Sequence, residues 1–272
     1  MRFYLTAIAF LICAGSAARA QNAAPLVIGE TFTIDSKVMH EVRRINVYMP
    51  PGYSDSASGR VPVLYMPDGG IAEDFLHIAG LVQVGVGNGT MRPFLLVGIE
   101  NTQRRRDMTG PTENADDRKI APRVGGSASF RDFIRNELMP LIKSRYRTTN
   151  ETAIVGESLA GLFVVETFMK EPAMFDTYIA FDPSLWWNNG KLLSDAPGLL
   201  KGKQLKGKSL YIASSSNSGF ADVAAKLDTA LKSSIASGLD WHYTTLPAET
   251  HATIYHPAAL QAFRLLFKPP AQ

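Results

Sequence analysis

Between residues 27 and 49 apolar and polar positions alternate with a period of two, in Phe32-x-Ile34 and again in Ile45-x-Val47-x-Met49. Such alternation turns one face of a strand toward a core. Asp35-Ser36 supplies turn chemistry between the two runs and Pro50-Pro51-Gly52 ends the second, so the segment predicts an antiparallel hairpin. The rhythm then changes. Residues 61–66 form a nearly continuous apolar run closed by Pro67-Asp68-Gly69-Gly70, and residues 94–99 repeat its character; runs of this kind suit strands buried on both faces. Residues 71–86 between them have room for a helix. Residues 100–128, rich in charge, Gly and Pro, predict a long irregular loop, which in a compact domain is usually functional or mobile. Helical spacing starts at Ser129 with Phe130, Phe133, Ile134, Leu138, Leu141 and Ile142, and Pro140 is placed to bend that helix. Strand patterns at 152–155, 178–181, 209–213 and 241–246 alternate with helical ones after Ser158, at about 221–235 and at 257–267. Strand alternating with helix predicts an α/β fold: a mostly parallel central sheet flanked by helices, opened by an N-terminal antiparallel hairpin.

The first twenty residues stand outside that pattern. Arg2 followed by the apolar stretch 3–12 and by Ala18-Arg19-Ala20 has the layout of a secretory signal peptide with an A-x-A cleavage site. The apolar stretch is too short to span a bilayer. The expected organisation is therefore a signal peptide at 1–20 and one α/β domain over 21–272, exported to the periplasm or secreted, with no stable membrane insertion after cleavage. The single cysteine, Cys13, lies inside the signal, and bulky Ile12 before it argues against lipidation. A cleaved chain would have no disulfide, no thiol nucleophile and no thiolate metal ligand. The formal charge of +3 would fall to +1 on loss of Arg2 and Arg19, which offers no argument for nucleic acid as a partner.

Chemistry concentrates at residues 152–165. A β-branched run leads into Gly156-Glu157-Ser158-Leu159-Ala160, and an apolar helical pattern follows at once. Strand, sharp turn and helix around a serine make a nucleophile elbow, in which a strained turn lifts the hydroxyl clear of its neighbours. Gly156 and Ala160 are small because strand and helix nearly touch there, although Ala160 departs from the usual final glycine. A serine hydroxyl needs a general base within hydrogen-bond reach and donors for the oxyanion that develops on an attacked carbonyl. In α/β-hydrolases the histidine follows the last strand. His251 fits that place better than His256, which borders Pro257 and the C-terminal helix. The acid is open among Asp222, the one carboxylate in the loop after the 209–213 strand, Glu249, two residues before His251, and a Ser-His dyad with no acid. The oxyanion donors are expected to be the amides of Leu159 and Gly70, the latter in the Gly-Gly turn after the 61–66 strand.

Several segments together carry a resemblance: 63–69, 98–109, 130–142, Gly-Glu-Ser-Leu-Ala-Gly-Leu at 156–162, Asp-Pro-Ser-Leu-Trp-Trp at 182–187 and Glu-Thr-His-Ala-Thr at 249–253. Over nearly the whole chain past the signal it resembles the putative-esterase family of α/β-hydrolases, which includes ferric-enterobactin esterases, esterase D and mycolyltransferases. The resemblance implies Ser158 as nucleophile, His251 as base and the Gly70 and Leu159 amides as oxyanion hole. The 101–109 and 183–187 segments are most similar to the siderophore-esterase branch, whose members hydrolyse trilactone backbones, some with a Ser-His dyad. Asn217 stands about where relatives carry the acid. Arg104, Arg105 and Arg106 then offer charge to an anionic catecholate ligand, and Trp186 and Trp187 an aromatic wall. The expected activity is hydrolysis of a small-molecule carboxylic ester through an acyl-enzyme, with no metal and no organic cofactor. The alternatives are acyl transfer to a sugar or lipid alcohol, a carbohydrate esterase, and a binding protein that kept the fold without catalysis.

Overall fold

The computed structural model describes residues 23–54, 59–216, 218–233 and 238–270; the expected signal peptide and Asn217 lie outside them. Among the described residues eight strands form one sheet: β1 (Glu30–Ser36), β2 (Glu41–Tyr48), β3 (Val61–Pro67), β4 (Leu95–Ile99), β5 (Thr148–Glu157), β6 (Thr177–Phe181), β7 (Ser209–Ser215) and β8 (Asp240–Leu246). Their spatial order is β1-β2-β4-β3-β5-β6-β7-β8. β1 pairs antiparallel with β2, and β2 antiparallel with β4; every pair from β4 onward is parallel. The opening hairpin is therefore present, with one shift of boundary. Asp35 and Ser36 finish β1, pairing with Val42 and Glu41, and the turn lies at residues 37–40, where His40 takes a positive φ of 54°.

The helices are α1 (Phe75–Gly87), α2 (Arg104–Met108), α3 (Ala115–Ile120), α4 (Ser127–Phe133), α5 (Met139–Arg145), α6 (Leu159–Lys170), α7 (Trp187–Leu200), α8 (Ser218–Ser233) and α9 (Tyr255–Leu266). Residues 100–128 are thus not one irregular loop: two short helices, α2 and α3, are folded into them. Residues 134–138 form a π-turn joining α4 to α5, immediately before Pro140, whose ring and missing N–H cannot continue the regular i to i−4 ladder. The helix predicted to bend at Pro140 widens into this π-turn just before it. The first turn of helix α7 departs from helical geometry at Asn188, Asn189 and Gly190, all with positive φ, and its apolar spacing, Leu192, Leu193, Ala196, Leu199 and Leu200, starts only after that kink.

Strand residues alternate between two apolar layers. Val63, Tyr65, Ile154, Tyr178 and Ala180 face the side covered by α4, α6, α7 and α8. Leu64, Met66, Val155, Ile179 and Phe181 face the side covered by α1 and α9. Burial on both faces accounts for the continuous apolar runs of β3 and β4, because a parallel strand has no solvent face to write in polar residues. At the antiparallel edge the core holds a charged cluster. Arg43 and Asp107 are both fully buried with their guanidinium and carboxylate 2.5 Å apart, and Glu41, Thr102 and Arg106 join the same hydrogen-bonded cluster. The cluster fastens α2 to β2. None of the helices among the described residues is long and apolar enough to cross a membrane.

Candidate active site

Ser158 sits between β5 and α6 with φ 60° and ψ −117°, a conformation an L-residue holds only when its surroundings enforce it. They do so from three sides. The Ser158 N–H donates to the Phe181 carbonyl at 3.0 Å, and the Ser158 carbonyl accepts from Leu162 at 2.9 Å and from Ser184 at 3.0 Å. A Cβ at position 156 would lie 2.7 Å from both the carbonyl carbon and the Cβ of Ala160, so strand and helix cross there in near contact. Ser158 stays half-buried, at the carboxyl end of its strand, where ligands bind in open parallel sheets.

His251, on the loop between β8 and α9, places Nε2 3.1 Å from Ser158 Oγ. Its other nitrogen, Nδ1, lies 3.2 Å from Asp182 Oδ2. Asp182 follows β6 directly, with φ 38°, and is fully buried. Its second oxygen, Oδ1, accepts the Ser215 N–H at 2.7 Å, and its own N–H donates to Ala213. β7 thus aims the carboxylate. A second carboxylate reaches the same nitrogen: Glu157 Oε1, on the residue before the serine, stands 3.1 Å from Nδ1. The hydrogen bond to Asp182 and the nearby negative charges hold the His251 pKa above its usual value, against burial, which lowers it. Burial pushes the Glu157 carboxyl up to about 7, despite the nearby charges of His251 and Arg104.

Asp222 does not reach this group. It is exposed on α8, since the loop after β7 turns away into that helix. Glu249 takes part through its backbone, its carbonyl accepting from Ser216 N and Oγ at 2.9 and 2.8 Å, which ties the histidine loop to the end of β7. The carboxylate that faces His251 comes from one strand earlier. Asp182 belonged to the quoted 182–187 segment, and the readable signal was an aspartate at the carboxyl end of a parallel strand. His256 is exposed on α9, its ring 5.5 Å from that of His77.

Leu159 opens α6, so its N–H is among those with no acceptor inside the helix. The Gly70 N–H donates to Glu73 Oε2 at 2.7 Å, so in this arrangement an internal carboxylate takes the amide expected to meet an oxyanion. Gly70 also borders an open depression of about 430 Å³ lined by Arg44, Asn46, Glu73, Glu100 and Asn101. Arg104 makes a two-pronged contact with Asp68, at 2.7 and 2.8 Å, and its charge is felt by Glu157 and His251. Arg105 bonds the Ile120 carbonyl. Arg106 lies inside the buried cluster with Glu41 and Asp107, which removes it from any solvent-facing basic patch. The tryptophans also part company: Trp186 is exposed, whereas Trp187 is buried with Nε1 donating to Gly110 O at 2.8 Å. The wall expected from the pair is therefore reduced to Trp186, because the Trp187 indole packs into the core.

A mostly parallel sheet with helices on both faces, a serine in a strand-to-helix elbow and a histidine after the last strand define an α/β-hydrolase. Residues 36–249 match the family described as "Putative esterase", and the chain belongs to that family. It is 31% identical over 175 residues to the ferri-bacillibactin esterase BesA of Bacillus subtilis, which covers 57% of this chain and 58% of BesA. It is 30% identical over 204 residues to the siderophore triacetylfusarinine C esterase of Aspergillus fumigatus, covering 66% of this chain and 64% of that protein. The chain thus spans less than two thirds of the length of both curated relatives. The structure of an IroE-like serine hydrolase from Shewanella oneidensis superposes with a TM-score of 0.80 at 29% identity, over 88% of this chain and 80% of that one.

Proposed function

We propose that this protein is an exported serine esterase that hydrolyses the ester bonds of siderophores through an acyl-enzyme on Ser158. The observation that carries the reading is the single line of contacts from Ser158 Oγ through His251 Nε2 and Nδ1 to Asp182. With its Nδ1–H directed at the buried carboxylate, the ring presents the Nε2 lone pair to the serine hydroxyl. Ser158 attacks the ester carbonyl as its proton passes to Nε2. The tetrahedral oxyanion is met by the Leu159 amide at the start of α6, and by Gly70 once its amide leaves Glu73. His251 returns the proton to the leaving alcohol, water takes the serine's place, and the cycle reverses. Asp182 replaces Asp222 as the orienting acid in this reading. The siderophore substrate is supported by the names of BesA and of the Aspergillus esterase, and export by the pattern of residues 1–20.

The test is fluorophosphonate labelling of the purified protein, read by intact mass beside Ser158→Ala. The expected result is one adduct on the wild type and none on the variant, followed by turnover of a trilactone in preference to simple aryl esters. A wild type that stays unlabelled at pH 8 would overturn the hydrolase reading. Labelling without trilactone turnover, but with release of feruloyl or acetyl groups from sugars, would move the substrate to carbohydrate esters.

A further inference from the structure

His251 Nδ1 has two carboxylates within reach where one suffices to orient an imidazole. Asp182 Oδ2 is 3.2 Å away and Glu157 Oε1 3.1 Å away. The two are held very differently. Asp182 is anchored by the Ser215 amide, whereas Glu157 Oε1, although buried, makes no hydrogen bond among the described residues. A buried carboxylate oxygen left in that state is costly unless a nearby cation compensates it. The groups that face Glu157 come from four places: His251 on the loop after β8, Asp182 after β6, Arg104 on α2 and Asp74 just before α1. Arg104 is already engaged by Asp68 on both of its prongs. The cation left for Glu157 is the imidazolium that forms when His251 accepts the serine proton.

We propose that Glu157, the residue immediately before the nucleophile, is a second positioning carboxylate for His251, sharing Nδ1 with Asp182 and able to hold the ring without it. The proposal rests on His251 being the base of the proposed esterase. Position 157 is fixed in space by the same strained turn that aims Ser158, so the nucleophile and one orienting group of its base move as a unit. Asp182 supplies the hydrogen bond, and Glu157 supplies charge at the same nitrogen. Because burial lifts the Glu157 carboxyl to about 7, its charge is present on the alkaline side of neutrality and fades below it.

The experiment compares kcat/KM against pH for wild type, Glu157→Gln, Asp182→Asn and the double variant, on an ester that labelling has shown to pass through Ser158. Loss of the orienting acid from a serine triad with a single acid costs about 10⁴-fold. Here Asp182→Asn is expected to lose only about 10²-fold at pH 8 and to decline as pH falls through 7, while the double variant reaches about 10⁴-fold. Glu157→Gln should move the acid limb of the profile about one pH unit lower, because removing a neighbouring negative charge makes the imidazolium easier to deprotonate. KM should stay where it was. A merely structural glutamate would leave the limb in place, and superimposable profiles for wild type and Glu157→Gln would overturn the proposal. So would Asp182→Asn falling by itself by the full loss of about 10⁴-fold seen for a triad with a single acid, a result that needs no folded Glu157→Gln protein. Absence of Ser158 labelling in the wild type would instead count against the esterase reading, so the two failures are told apart.

Discussion

His251 is pulled two ways, and the hydrogen bond with Asp182 outweighs burial, so its pKa is raised. A base must be neutral to accept a proton. Activity should therefore be low in acid, rise through a pH above the ordinary histidine value of about 6.5, and then level off. A kcat/KM profile measured from pH 5 to 9 checks this, and a flat profile from 5 to 8 would remove His251 from the role of base. At this scale the serine and the histidine were legible because each carries a local signature: small residues around Ser158, and a position between the last strand and the last helix for His251. Asp182 carries only a weaker one, an aspartate at the carboxyl end of a parallel strand. Which strand end presents a carboxylate to the histidine depends on how β6 and β7 lie in the sheet, and Asp182 owes its aim to the Ser215 amide, 33 residues away.

The elbow is the element on which the site depends. A methyl group at position 156 would come within 2.7 Å of the Ala160 backbone, and backbone cannot swing aside as a side chain can. Gly156→Ala should force β5 and α6 apart, destabilise the protein by about 1–3 kcal/mol through overpacking, and displace Ser158 from His251. Urea unfolding and the rate of fluorophosphonate labelling report the two effects separately; no change in either would mean that the crossing is looser than these distances say. The departure at Ala160 is explained by the same contact. Ala160 is fully buried and its own methyl group fits, so the glycine is indispensable only on the strand side. The helices within 100–128 and helix α7 were less legible. α2 and α3 are five and six residues long, too short to display a period, and α7 begins with an Asn-Asn-Gly kink that breaks one.

In the whole molecule, the antiparallel edge is tied to α2 by the buried Arg43–Asp107 pair. Removing one partner of such a pair leaves an uncompensated buried charge. Asp107→Asn should lower the unfolding free energy by about 3–5 kcal/mol, read from the midpoint of urea denaturation. Replacing Arg43 and Asp107 together by Met and Leu should recover much of that loss, since apolar groups of similar volume need no counter-charge. A single variant as stable as the wild type would show that the cluster relaxes by admitting water. The arginine run 104–106, which reads as one basic patch in the chain, divides between three tasks in the fold: a clamp on Asp68, a tie to the Ile120 carbonyl and a half-buried partner for Glu41 and Asp107.

The sequence by itself determined what depends on neighbours along the chain: the hairpin, the buried parallel strands, and the elbow with its serine and following helix. These are matters of periodicity, backbone allowance and side-chain size over a few residues. The tertiary structure alone decided the rest. It chose Asp182 over Asp222, brought Glu157 to the same nitrogen, and turned Trp187 inward and Trp186 outward. Each of these is a distance between segments far apart in sequence, set by strand order and by which face of a strand or helix meets the core.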